Sequence, residues 1–205
     1  SGPRARPAKH RLGTRACPRE GKTTTVIKRG IIMAQAGSKV LIVDADSRRP
    51  SLHHIFGFLP QGKRTLPGLS NLIVGNATVD DVRLPSGFAR VALVPAGIAP
   101  PNPNELISSQ RMKAVIAELA DDADFVLIDS PPCGLYSDAY LLAPLTDGVL
   151  YVVRSGSQDK SAQRRVQRQL EQAKARMLGV VFNDAEVEES AGNYSYYYAN
   201  GNKRK

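Results

Sequence analysis

The chain has 205 residues, 42% of them hydrophobic, which suits one globular domain with a sizeable core, and no apolar run is long enough to cross a membrane. Its net charge of +9 sits at the two ends: residues 1–29 carry +8 and Lys203-Arg204-Lys205 adds +3, leaving −2 over residues 30–202. A nucleic-acid-binding domain spreads its basic residues over a folded face, so nucleic acid is discounted as the main partner, and two cysteines, Cys17 and Cys133, are too few for a disulfide scaffold and point to a reducing cytoplasm.

In chain order, residues 1–13 form a basic, Pro-rich segment. The first strand expected ahead of the next motif is thin, because His10-Arg11-Leu12-Gly13-Thr14-Arg15 holds one large apolar residue. Helical spacing over Thr23–Ala36 stops at Gly37. The run Val40–Val43 is continuously apolar, as expected of a strand buried on both faces of a parallel sheet. Residues 57–87 carry scattered Gly and Pro and read as a looser excursion with one short helix near Leu69–Val74. Further buried strands are expected at Val91–Val94, Phe125–Ile128, Val149–Val153 and Val180–Phe182. Between them, Asn104–Ala120 places Leu106, Ile107, Val115, Ile116 and Leu119 largely on one helix face. Ser157–Met177 reads as a long polar helix with a narrow stripe of Val166, Leu170 and Ala173. This alternation predicts an α/β fold with a mostly parallel, doubly wound sheet flanked by helices. Residues 14–184 form its domain, and 185–205 a polar, basic, Tyr-rich tail with the composition of a flexible segment.

The chemistry starts at "CPREGKTTTVI", residues 17–27. A loop ending Gly-Lys-Thr before a helix surrounds phosphates with backbone N–H groups, with a lysine for the β/γ oxygens and a hydroxyl for Mg²⁺. Pro18, Arg19, Glu20, Gly21, Lys22, Thr23 and Thr24 are therefore the candidate nucleotide-binding residues, although Ala16 stands where the leading glycine belongs. "VLIVDADSRRP" sets Asp44 and Asp46 at the end of an apolar strand, on the same side at i and i+2, and "FVLIDSPP" places Asp129 at the end of another. In open α/β sheets ligands bind outside the carboxyl ends of the strands. Three aspartates arriving there with Gly21-Lys22-Thr23 form the second half of a P-loop NTPase site.

These residues resemble the bacterial tyrosine kinases of capsular and exopolysaccharide synthesis, cytoplasmic enzymes related to the MinD/ParA-type ATPases. The resemblance runs from about Thr14 to Tyr198 and rests on the Pro-x-Glu-Gly-Lys-Thr loop, "DADSRRPSLH", "PPNPNELI", "LIDSPP" and the tail "YSYYY" at 194–198. It implies an ATP- and Mg²⁺-dependent protein-tyrosine autokinase. Lys22 would bind the β/γ-phosphates and Thr23 would ligate the metal. Asp46 and Asp129 would hold that metal through its waters, and Asp44 would accept the tyrosine proton. Asn183 would contact the base. Tyr194, Tyr196, Tyr197 and Tyr198 would be autophosphorylated in trans by a neighbouring subunit. The family also implies regulation of polysaccharide synthesis and export at the inner face of the membrane. Its partners there are a membrane-bound co-polymerase or activator, other copies of the chain in a ring, and a tyrosine phosphatase.

The chain departs from the family in several places. Arg19 replaces a loop glycine, and Lys28-Arg29 stands where the family has Asn-Leu, inside the helix under the loop. Charges buried there would be costly. The family's Glu-x-x-Arg-x-x-Arg segment and fused activator domain are not seen, so the chain resembles the separate-kinase form or a fragment. Two other readings stay open: a non-catalytic relative acting as scaffold or phosphoacceptor, and a MinD/ParA-like positioning ATPase. Against the latter stand Cys17, where that group has a second lysine, and the lack of an amphipathic C-terminal membrane helix.

Overall fold

The computed structural model describes residues 10–15, 21–58, 66–155 and 160–184. Seven strands form one sheet in the order β3-β4-β2-β5-β1-β6-β7. They are β1 (His10–Arg15), β2 (Val40–Asp44), β3 (Leu84–Pro85), β4 (Val91–Val94), β5 (Phe125–Asp129), β6 (Gly148–Arg154) and β7 (Met177–Asn183). All neighbours pair parallel except β3 with β4. The thin first strand is formed and central: β1 pairs with β5 on one side and β6 on the other. It begins at His10, ahead of the domain start expected at residue 14.

Helices cover both faces. On one side lie α1 (Lys22–Gln35) and α2 (Leu52–Ile55); Val26, Ala34 and Leu52 pack on Val40, Ile42, Leu93 and Leu127. The other side carries α3 (Leu69–Val74), α4 (Val79–Val82), α5 (Pro103–Ile107), α6 (Gln110–Ala120), α7 (Asp138–Leu142) and α8 (Lys160–Gln172). There Leu72, Val82, Ile107, Met112, Val115, Leu142, Val166 and Leu170 pack on Leu41, Val43, Val126, Ile128, Val149, Tyr151 and Val153.

The single helix expected over 104–120 is two. Ser109 takes an extended conformation, and its hydroxyl caps α6 by accepting from Met112 N at 3.1 Å. The long helix expected to reach Met177 ends at Gln172, because Lys174 turns left-handed at φ 57° and Met177 already belongs to β7. Lys28 and Arg29 do not intrude on the core: α1 buries Lys22, Val26, Gly30 and Ala34 in steps of four, leaving Lys28 exposed and Arg29 half-buried. Gly30 is needed on that buried row, since a Cβ there would meet Ile42 Cδ1 at 2.9 Å. No helix among the described residues is long and apolar enough to cross a membrane.

Candidate nucleotide site

The carboxyl ends of β2 and β5 lie side by side, with Asp44 the register partner of Asp129. Two carboxylates are thus brought to adjacent strand ends, about 4.8 Å apart along the sheet, and the N-terminus of α1 lies at the same end, where its first two residues reach Asp129. Gly21 starts that helix in the left-handed conformation at φ 79°. A Cβ on Gly21 would fall 2.0 Å from Asn183 Nδ2. Glycine is therefore required twice over, for its backbone angle and for the approach of Asn183 at the end of β7.

Lys22 and Thr23, the first two residues of α1, both donate to Asp129: Nζ to Oδ1, and Oγ1 to Oδ2 at 2.7 Å. Lys22 and Asp129 are each 1% exposed. Burying an ion pair this deeply requires good geometry and further hydrogen bonds, and Thr23 supplies one of them.

Asp44 and Asp46 do different work. Asp44 is fully buried, and its carboxylate accepts three backbone N–H groups, from Asp46 to Oδ1 at 3.0 Å and from Ser51 and Leu52 to Oδ2 at 2.9 and 3.1 Å. Burial raises its pKa above the usual carboxylate range, against the lowering influence of those N–H donors and of the Lys22 charge. The expected proton acceptor is thus, in this conformation, the anchor that folds the loop between β2 and α2 back on itself. Asp46 lies nearer the surface, and its Oδ1 accepts from Arg49 N at 2.9 Å.

Sequence reasoning missed a strut that joins this loop to its neighbours. The Arg48 guanidinium donates to Asp138 at 3.3 and 3.4 Å and to Asn104 Oδ1 at 3.1 Å, and stacks 4.5 Å from the Tyr136 ring centre. Asp138 is fully buried at the first turn of α7. Its place ninety residues from Arg48 leaves no local signal in the sequence.

Lys22, Thr23, Asp44, Asp46, Asp129 and Asn183 thus gather at one end of the sheet, and Thr24 lies exposed on the first turn of α1. Pro18, Arg19 and Glu20, and all four tail tyrosines, lie outside the described residues. Cys133, just past Asp129, is buried in the core, and Tyr140 Oη donates to its backbone carbonyl at 2.8 Å. His53 and His54 sit on α2, and no cluster of metal-type ligands is found among the described residues.

A parallel sheet ending in aspartates, beside a Gly-Lys-Thr helix start, defines a P-loop NTPase fold of the MinD type. The MinD septum-site protein of Pyrococcus horikoshii, solved with Mg-ADP, superimposes with a TM-score of 0.70 at 21% identity, covering 89% of this chain and 75% of its own. A family model described as "AAA domain" matches residues 20–157. The tyrosine-protein kinase CpsD of Streptococcus agalactiae is 33% identical over 189 residues, 91% of this chain and 80% of that protein. The kinase domain of the Escherichia coli tyrosine kinase ETK superimposes with a TM-score of 0.81 at 29% identity, over 90% of this chain and 70% of its own. The chain belongs to the bacterial tyrosine-protein kinase family.

Proposed function

We infer that the chain is an ATP-dependent protein-tyrosine autokinase whose own C-terminal tyrosines are the phosphate acceptors. The observation that carries this reading is the convergence of Lys22 and Thr23 on Asp129, beside Asp44 on the adjacent strand. A buried lysine, a hydroxyl and several carboxylates are the donor set that a magnesium–triphosphate requires. The residues present fit that group. Gly21 and the start of α1 offer backbone N–H groups, Thr23 offers a hydroxyl, and Asp46 and Asp129 offer oxygens for metal-bound waters.

When bound, Mg²⁺ supplies charge neutralisation for the phosphates. Lys22, now paired with Asp129, would bind the β/γ oxygens, and Asn183, which lies against Gly21, would contact the base. Asp44 accepts the proton of the attacking tyrosine hydroxyl through Oδ1, which accepts one backbone N–H where Oδ2 accepts two. Arg48, tied to Asp138, keeps the Asp46 loop against the chain that follows Asp129. The acceptors are Tyr194, Tyr196, Tyr197 and Tyr198, delivered in trans by a second copy within the folded-domain-plus-tail organisation of residues 14–205.

The motifs "DADSRRPSLH", "PPNPNELI" and "LIDSPP", which resemble those of the kinases of capsular and exopolysaccharide synthesis, support the same role here. It brings with it a membrane-bound co-polymerase or activator as partner, self-assembly, a tyrosine phosphatase and a position at the inner face of the membrane. The test is incubation of the full chain with ATP and Mg²⁺ followed by peptide mass analysis. Phosphoryl groups are expected on the peptide spanning 194–198 and absent in Lys22→Met; equal labelling of the two proteins overturns the reading.

A further inference from the structure

Among the described residues, the edge of the sheet opposite β3 carries an apolar surface that no other element covers. Val180 and Phe182 on β7 are 50% and 68% exposed. They stand in register with Tyr151 and Val153 on β6, so the four side chains share one face of the sheet. That face is the floor of a groove of about 520 Å³ whose wall is one face of α8, formed by Lys160, Gln163, Arg164 and Gln167. The groove is thus apolar below and basic along one side. Soluble domains leave such surfaces where something docks.

We propose that the occupant is the chain's own segment 185–205. That segment starts three residues beyond Phe182 and carries its charges and its aromatic groups in a matching order. Glu186, Glu188 and Glu189 come first, close enough to meet Lys160 and Arg164, which lie on the first turns of α8 beside the carboxyl end of β6. Tyr194, Tyr196, Tyr197 and Tyr198 follow, with the rings that an apolar floor accepts. The reach is sufficient: ten residues span up to about 33 Å extended, whereas the seven residues of β7 span about 20 Å. The exit is also shaped for a reversal. Asp184 is left-handed at φ 56°, and the Arg154 guanidinium pins its carboxylate with donors at 2.7 and 2.9 Å.

The strand under this seat has two faces with two uses. Phe182 points to the groove, while its neighbour Asn183 points to the opposite face and touches Gly21 of the phosphate loop. On the autokinase reading, a seated tail withholds its tyrosines from any other molecule's site.

The test needs neither nucleotide nor activity, so its failure is separate from failure of that reading. Amide hydrogen exchange is followed over 160–172 and 177–183 in the full, dephosphorylated chain. It is compared with a variant in which Tyr194, Tyr196, Tyr197 and Tyr198 are changed to Ser, and with Phe182→Glu. Exchange in the parent is expected to be about five-fold slower than in either variant, the figure for a tail seated about four-fifths of the time, at every protein concentration. Equal exchange in parent and Tyr→Ser variant overturns the proposal. Protection that is lost on dilution also overturns it, since the occupant is then a second copy.

Discussion

The phosphate-loop end of the sheet and the β7 edge break the usual partition of side chains in opposite directions. At the first, a lysine and two aspartates are almost wholly buried: Lys22 and Asp129 at 1% and Asp44 at 0% exposure. At the second, Phe182 and Val180 stand in solvent. Buried charge is tolerated at the loop because every group there has a partner: Lys22 with Asp129, Thr23 with Asp129, and Asp44 with three backbone N–H groups. Exposed apolar area at β7 has no such compensation within the described residues. One region is a closed polar network that a ligand must open; the other is an open apolar face that a ligand must close.

Three substitutions sharpen this contrast. The largest effect is expected from Asp129→Asn, which leaves the Lys22 ammonium buried without its counter-charge. Stability should fall by about 3–5 kcal/mol, read from the urea midpoint, and adding Lys22→Met should recover part of it. Next comes Gly21→Ala, with about 1–2 kcal/mol of left-handed backbone cost plus the collision with Asn183. Adding Asn183→Ser should remove the collision and leave the backbone cost, so the double variant should be more stable than Gly21→Ala alone. The smallest is Phe182→Ser, expected to lower global stability by only about 1 kcal/mol, the worth of a tail seated about four-fifths of the time, although a phenylalanine is lost. A drop as large as that of Asp129→Asn would mean that β7 is not an open face and would end the contrast.

Much of this organisation was legible in the sequence, and the exceptions share a cause. Strand Val91–Val94 and helix Leu69–Val74 fall where apolar runs and helical spacing put them, since both are set by local pattern. The gathering of Lys22, Thr23, Asp44, Asp46 and Asp129 followed from one topological rule, that functional groups in such sheets leave from strand ends. The break between α5 and α6 was hidden because Ser108-Ser109 interrupts a helical face without disturbing its spacing. The short α2, α4 and α7 and the two-residue β3 carry too little sequence to show a period. β1 was hard to read because a strand in the middle of a sheet was expected to be rich in aliphatic residues, and this one is not. The tasks of Asp44 and Arg48 depend on partners brought by the fold, and no residue type announces them.

Pro85 has a consequence for how copies of this protein can meet. It sits in β3, the two-residue strand that ends the sheet opposite β7 and is its one antiparallel member. A proline has no amide hydrogen to offer an incoming strand, and a strand this short presents little backbone to pair with. Extension of the sheet from one molecule into the next is therefore blunted on the β3 side and left to β7. Among the described residues, growth by strand addition then has a single open margin, a geometry that favours closed pairs over endless fibrils.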